Sequence, residues 1–339
     1  MGGTRTVAVE DLEAAGFDEQ FSIVETAVES HLEGKVSNVA VVSEPFAGRE
    51  VFLDYAEETF GAATGRITFE ELVTGELPEF PVAEIVLVDD CHHLYTRQIG
   101  GFDLLETFLD RVVTQDVLYV TSWNRYAWTY LSAVTGVDVA FPTKINIPRI
   151  DAGQVGELLA SYHGSPLPRF VEVEDRGRMK TIDLEWASRP LVGDRSVPLP
   201  RLDVNSEYLL SRFADDVELE LEAVVYQQLA TLSLGAPGAV IALWDRSIRE
   251  GAIAPGYVNE VDEPLDIDHD EAFVLEIVLT NEDIAYERLE RICQDLPIDR
   301  AIQTLLTQGV VSIDDGRVRI TPERLYATVK HLAGRQLVW

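Results

Sequence analysis

The sequence predicts an α/β fold. A parallel sheet covered by helices on both faces is followed by an all-helical segment and a C-terminal unit with a two-stranded hairpin. Three observations carry this. Short apolar runs alternate with helical patterns up to residue 163, and that alternation makes parallel sheets buried on both faces. Between about 205 and 250 the pattern is helical only. The final 70 residues read as three helices, a hairpin around Asp314-Asp-Gly316 and a last helix.

The elements follow in order. Residues 1–35 form a helical lead-in, with Leu12, Phe17, Phe21, Val24, Val28 and Leu32 at helix-like intervals. Residues 36–42 read as a buried strand, 43–50 as a turn and 49–60 as a helix. Residues 67–72 suggest a short strand and turn. Residues 84–90 form a strand ending in Asp89 and Asp90. A helix at 101–113 puts Phe102, Leu105, Leu109 and Val113 on one face. Residues 116–122 give another strand, 125–134 a helix, 144–148 the last strand and 154–163 a closing helix; the core is thus 36–163. Prolines at 166, 168, 190, 198 and 200 mark 164–202 as a linker or insertion. In the helical segment, 203–250, Leu209, Leu210 and Phe213 make one apolar patch and Ala223, Tyr226 and Leu229 another. Gly235-Ala-Pro-Gly238 breaks the chain before a helix at 239–248, and 251–269 is an acidic loop. In the C-terminal unit, 270–339, helices are expected at 272–279, 285–293, 299–308 and 322–333, with hairpin strands at 309–313 and 317–321. Three helices followed by a two-stranded wing is a winged-helix pattern.

Composition narrows the function. The chain has 339 residues, 46% of them hydrophobic, so a sizeable core is expected. There are 59 Asp and Glu against 27 Lys and Arg, a formal net charge of −32. Only Lys35, Lys144, Lys180 and Lys330 are lysines. A globally basic nucleic-acid binder is excluded, because phosphate binding needs local positive charge. Two cysteines, Cys91 and Cys293, do not make a disulfide scaffold. No run approaches the ~18 apolar residues of a membrane span, and the N-terminus lacks the apolar stretch of a secretion signal. A cytoplasmic protein is expected. The acidic, lysine-poor composition resembles that of salt-in halophilic archaea. In molar salt, where the Debye length is about 3 Å, such a surface repels polyanions far less than in dilute buffer.

The chemistry gathers where the strands end, since ligands of open parallel sheets sit at the carboxyl edge. A phosphate loop is a strand, a turn of the form G-x-x-x-x-G-K-[ST] and a helix. Its N–H groups and helix N-terminus cradle phosphates, its Lys reaches the β/γ-phosphates and its hydroxyl holds Mg²⁺. Here the turn reads Ser43-Glu-Pro-Phe-Ala-Gly48-Arg49-Glu50. The spacing and Gly48 are kept; Ser43, Arg49 and Glu50 replace Gly, Lys and the hydroxyl residue. Arg49 keeps the charge without the compact ammonium. Glu50 sets a carboxylate beside the phosphate position, which costs several kcal/mol at about 4 Å unless screened. The strand ending in Asp89 and Asp90 matches the acidic pair that serves Mg²⁺ and the attacking water. Asn124 follows the next strand, where a polar residue can sense a γ-phosphate or simply cap a helix. His92 and His93 follow the acidic pair beside Cys91, but adjacent residues on a turn do not converge on one ion. Trp123, Tyr126, Trp128 and Tyr130 suit either core packing or a recognition surface.

This order of motifs resembles the AAA+/STAND superfamily of P-loop ATPases, in the branch near Cdc6/Orc1 and the STAND signalling ATPases, over about residues 30–339. The resemblance implies a nucleotide-binding core, a helical lid whose Gly235-Ala-Pro237 lies near the base, and a winged helix. It implies ATP or ADP with Mg²⁺ as ligand, held by Ser43, Gly48, Arg49, Glu50 and Pro237. Asp89 would face the metal, Asp90 the catalytic water, and Asn124 the γ-phosphate. Arg97, Arg125 and Arg149 are candidates for an arginine finger. The substitutions lead us to expect absent or very slow hydrolysis and a regulatory or scaffolding role exerted on a protein partner. A DNA-binding regulator is the alternative, through Arg300 and Gln303 on the recognition helix and Arg317 and Arg319 on the wing. An active ATPase switch with unusual loop chemistry is a third. Residues 270–339 carry 8 Arg and Lys against 12 Asp and Glu, thin charge for phosphate contacts.

Overall fold

The computed structural model describes residues 7–35, 37–98, 100–164, 166–171, 182–190, 196–204, 221–261 and 263–338. Two helices lead in, Val9–Ala14 (α1) and Asp18–Leu32 (α2), broken at Gly16, whose φ is +84°. Val39–Ser43 (β1), Thr64–Thr68 (β2), Ile85–Asp89 (β3), Leu118–Asn124 (β4) and Thr143–Asn146 (β5) form one parallel sheet in the order β2-β3-β4-β1-β5. Arg49–Phe60 (α3), Asp103–Thr114 (α4), Arg125–Val134 (α5) and Ala152–His163 (α6) connect and cover it.

Strand alternation divides the core. Val39, Val41, Ile85, Leu87 and Val120 face one layer with Val24, Phe52 and Leu158. Ala40, Val42, Val86, Val88 and Tyr119 face the other, with Leu105, Phe108 and Leu131. Both faces are covered, so β1, β3 and β4 are buried throughout. This explains their unbroken apolar character.

The sheet differs from the sequence reading at its edges. The strand expected at 67–72 lies at Thr64–Thr68, where Gly65 lets Pro81 approach closely. Segment 164–202, expected to be irregular, includes Arg169–Phe170 (β6) and an antiparallel pair, Ile182–Pro190 (β7) with Ser196–Val204 (β8). The strand pair also takes the first two residues of the segment expected to be helical from 203. Leu209, Leu210 and Phe213 lie outside the described residues.

Leu221–Leu232 (α7) and Pro237–Ser247 (α8) are the described helices of the next segment. The acidic stretch after them holds Ala252–Ile253 (β9), parallel to β6, and the short helix Pro255–Asn259 (α9). The chain continues through His269–Asn281 (α10), Asp283–Ala285 (β10), Tyr286–Ile292 (α11), Ile298–Thr307 (α12), Val311–Asp314 (β11), Arg317–Ile320 (β12) and Leu325–Gly334 (α13). Strand β10 adds a third member to the hairpin, in the order β10-β12-β11. Asp315 and Gly316 both have positive φ, the conformation that an Asp-Gly hairpin turn requires. Helix α10 starts three residues earlier than its apolar run, because Asp268 and Glu271 form a capping box. Among the described residues no helix is long and apolar enough to cross a membrane.

The break before α8 locks against the segment that follows β5. Gly235 has φ +64°, and its carbonyl accepts from Ile150 N–H at 3.0 Å. A Cβ there would lie 2.7 Å from Arg149 Cβ and from the Ile150 backbone. Left-handed strain and overpacking together predict that Gly235→Ala destabilises the chain by about 2–4 kcal/mol in urea unfolding.

Candidate functional site at the carboxyl edge of the sheet

Strand β1 ends at Ser43, whose hydroxyl donates to the Glu44 carbonyl at 2.8 Å. The turn then runs through Phe46 and Gly48, with φ +63° and +81°, and Gly48 opens α3. Gly238, at the start of α8, donates its N–H to the Phe46 carbonyl at 2.8 Å. A Cβ on Gly238 would lie 2.8 Å from that oxygen, so this glycine permits the contact. Pro237 is buried at the first turn of α8.

Arg49, the residue at the phosphate-contacting position, is buried and has both guanidinium ends engaged. Nη2 meets Asp90 Oδ1 at 2.6 Å and Nη1 meets Glu282 Oε1 at 2.7 Å. Burial alone would lower the Arg49 pKa; Glu282 and Asp90 reverse this and raise it. Burial would raise Asp90, but Arg49, with His92 and His93, holds it far below the usual carboxylate range. Glu282 goes up, because burial outweighs the help of Arg49 and Asn124.

Asp89 is buried and also taken. Oδ2 accepts from Arg66 Nη2 at 2.8 Å, and Oδ1 from the Ser122 hydroxyl and from Asp90 N–H at 3.1 Å. Asn124 uses Oδ1 to cap α5 through Tyr126 and Ala127 N–H, at 2.8 and 3.4 Å. Its Nδ2 donates to Leu279 C=O and Glu282 Oε1, each at 2.9 Å. The helix-capping reading of Asn124 is therefore what its geometry displays. His93 bridges the Phe69 and Asn281 carbonyls. His92 is fully buried, and burial with neighbouring His93 and Arg49 pushes its pKa down.

The arginine-finger candidates have local partners. Arg97 meets the buried Glu276 at 2.7 Å, and Arg125 and Arg149 both meet Glu44 Oε1, at 3.0 and 2.7 Å. Trp123, Tyr126 and Trp128 are buried, so they pack rather than recognise. In the C-terminal segment Arg317 and Arg319 donate to the two oxygens of Asp283, at 2.7 and 2.8 Å. Arg300 is 74% exposed, 3.7 Å from Asp268, and Gln303 is exposed one turn further along α12.

The sequence-predicted residues Gly48, Arg49, Glu50, Asp89, Asp90 and Asn124 do converge at one edge, where β1, β3 and β4 end side by side. This is a five-stranded parallel sheet covered by helices on both faces, with its candidate residues at the carboxyl edge. Similar solved structures span nearly the whole chain. They include RuvB, a Holliday junction branch migration motor of Thermotoga maritima (12% identity, 97% and 98% of the two chains, TM-score 0.40). Cdc6p from Pyrobaculum aerophilum is similar at 12% identity (95% of each chain, TM-score 0.40). So is the Orc1 protein of Aeropyrum pernix in complex with DNA (12% identity, 95% and 94%, TM-score 0.38). No protein-family model matches the sequence, and no curated protein does.

The residues at this edge do not fit a magnesium nucleotide. Both Asp89 oxygens are occupied, Asp90 is spent on Arg49, and Glu50 projects a carboxylate from the first turn of α3, where a phosphate would sit. Among the described residues no His, Cys, Asp and Glu group has the arrangement of a metal site. Arg66 and Glu282 are the site residues that the sequence reading missed. Arg66 lies on the neighbouring strand, 23 residues from Asp89, and carried no signal in the sequence. Glu282 is 233 residues from Arg49 and carried none.

Beside the loop lies a cleft of about 590 Å³ lined by Phe46, Glu50, Gly238, Arg246, Thr321 and Glu323 among others. Burial raises Glu50 to about 7; Arg49 opposes this, and Asp89 and Glu282 add to it. A carboxyl whose folded pKa exceeds its unfolded value near 4.5 stabilises the fold when protonated. That contribution is lost as pH rises from about 4.5 to about 7. Glu50→Gln is therefore expected to gain stability over the wild type across that window and hold the gain above it, in thermal melts at matched salt.

Proposed function

We propose that this chain is an AAA+-fold regulatory or scaffolding protein whose nucleotide site is closed by its own side chains. It works in the cytoplasm through contacts with a protein partner and turns over no ATP. The observation that supports this most is the double engagement of Arg49. A guanidinium held by Asp90 and Glu282 presents no free donor fork to a phosphate, and freeing it strands two half-buried carboxylates. Breaking a fully buried pair costs about 3–5 kcal/mol, and even part of that would have to be offset before a nucleotide could bind. Asp89, tied to Arg66 and Ser122, would have to be freed as well before it could serve a metal.

DNA binding through the winged-helix unit is the second reading, favoured by the exposed Arg300 and Gln303 one turn apart on α12. Against it, the hairpin arginines are paired, both with Asp283 and each with a further carboxylate, Glu71 for Arg317 and Asp314 for Arg319. Few free cations would give a shallow dependence of binding on salt.

Calorimetric titration with ATP and ADP, with Mg²⁺ in molar KCl, should give no heat at protein concentrations that detect micromolar affinity. Phosphate release should stay at the level of an Asp90→Asn control. Micromolar binding that weakens in Asp89→Ala would sink the closed-site reading.

A further inference from the structure

The end of helix α10 meets the core in an unusual way. An α-helix leaves its last carbonyls unpaired and its C-terminus partially negative. A carboxylate placed there is unfavourable by local physics. Glu282 nonetheless follows the helix directly, with φ +61°, a backbone conformation that disfavours side chains other than glycine and asparagine. Nothing within the helix recommends glutamate at this position.

The core supplies the reason. Arg49 Nη1 and Asn124 Nδ2 both donate to the same oxygen, Glu282 Oε1, at 2.7 and 2.9 Å. Asn124 Nδ2 also takes the orphan carbonyl of Leu279, and His93 Nε2 meets that of Asn281 at 3.0 Å. Three side chains from the sheet edge thus receive one helix end. Each is fixed from behind: Arg49 by Asp90, Asn124 by its cap on α5 and His93 by Phe69.

We infer that Arg49 and Asn124 form a carboxylate-binding site of the core, which Glu282 fills in cis as a resident ligand. The C-terminal segment is docked through this site as well as through apolar packing. The inference rests on the closed-site reading, since a nucleotide phosphate on Arg49 would compete for the same donors.

Glycine decides the sign. On backbone grounds alone, Glu282→Gly removes a strained φ and an unfavourable charge, so it should raise the melting temperature. If the carboxylate site holds the segment, the same substitution lowers it by several degrees. Amide exchange across 279–285 then accelerates about tenfold or more, as expected for local opening. Acetate added to Glu282→Gly should restore at least half of the lost protection. Chloride and inorganic phosphate at equal ionic strength should not. Glu282→Gln, which keeps the shape and one acceptor, should show a smaller loss in the same amides, and it carries the test if the glycine variant does not fold.

Unchanged or raised stability of Glu282→Gly would overturn the inference. So would equal rescue by acetate and chloride, which is screening rather than a site. Nucleotide titration of the wild type tests the closed-site reading separately, so the two can fail independently.

Discussion

A buried guanidinium is the constraint on which this structure turns. Arg49 sits at the head of α3 with no escape to solvent, so its charge has to be met from within. Asp90 meets it from the end of β3 and Glu282 from the far end of the chain. The same rule repeats around it. Asp89 requires Arg66 and Ser122, and Glu44 requires Arg125 and Arg149. Each buried ion at this edge draws in a partner from another strand or segment. The edge of a parallel sheet is where ligands gather, and here ion pairs of the protein fill the space.

In this arrangement the shape of the turn and the chemistry of its side chains rest on different residues. Gly48 retains the left-handed conformation that turns β1 into α3. The backbone of the turn is closed off by Gly238, whose N–H occupies the Phe46 carbonyl. Shape is held by glycines and by the apolar faces of β1 and α3, whereas anion affinity depends on the identities of three side chains. These are separable properties. The cleft beside Glu50 remains, lined by carboxylates as well as apolar groups.

Much of the fold was legible because it depends on local periodicity. Four strands of the sheet, β1 and β3 to β5, with α3 to α6 and the Asp-Gly hairpin, follow from apolar spacing and turn chemistry. What was not legible came from pairing across distance. The edge strand Thr64–Thr68 has little apolar signal of its own and is defined by its partner β3. The strand pair in 164–202 was hidden by prolines, three of which fall within its strands. Residues of the site could be found where a motif spaces them, as with Gly48, Arg49 and Asp89. Arg66 and Glu282 could not, since neither belongs to the spacing pattern and both act only once the chain has folded. Asn124 was legible in both of its readings, and its cap on α5 follows from β4 running straight into that helix.

The separation between Arg49 and Glu282 has a consequence for how the molecule is made. The core strands are complete by residue 146, yet the charge buried among them stays half-answered until residue 282 is joined to the chain. During synthesis the sheet edge therefore exists for some time with Arg49 and Asn124 short of an acceptor. Late closure of an early element makes the last third of the chain a participant in finishing the first.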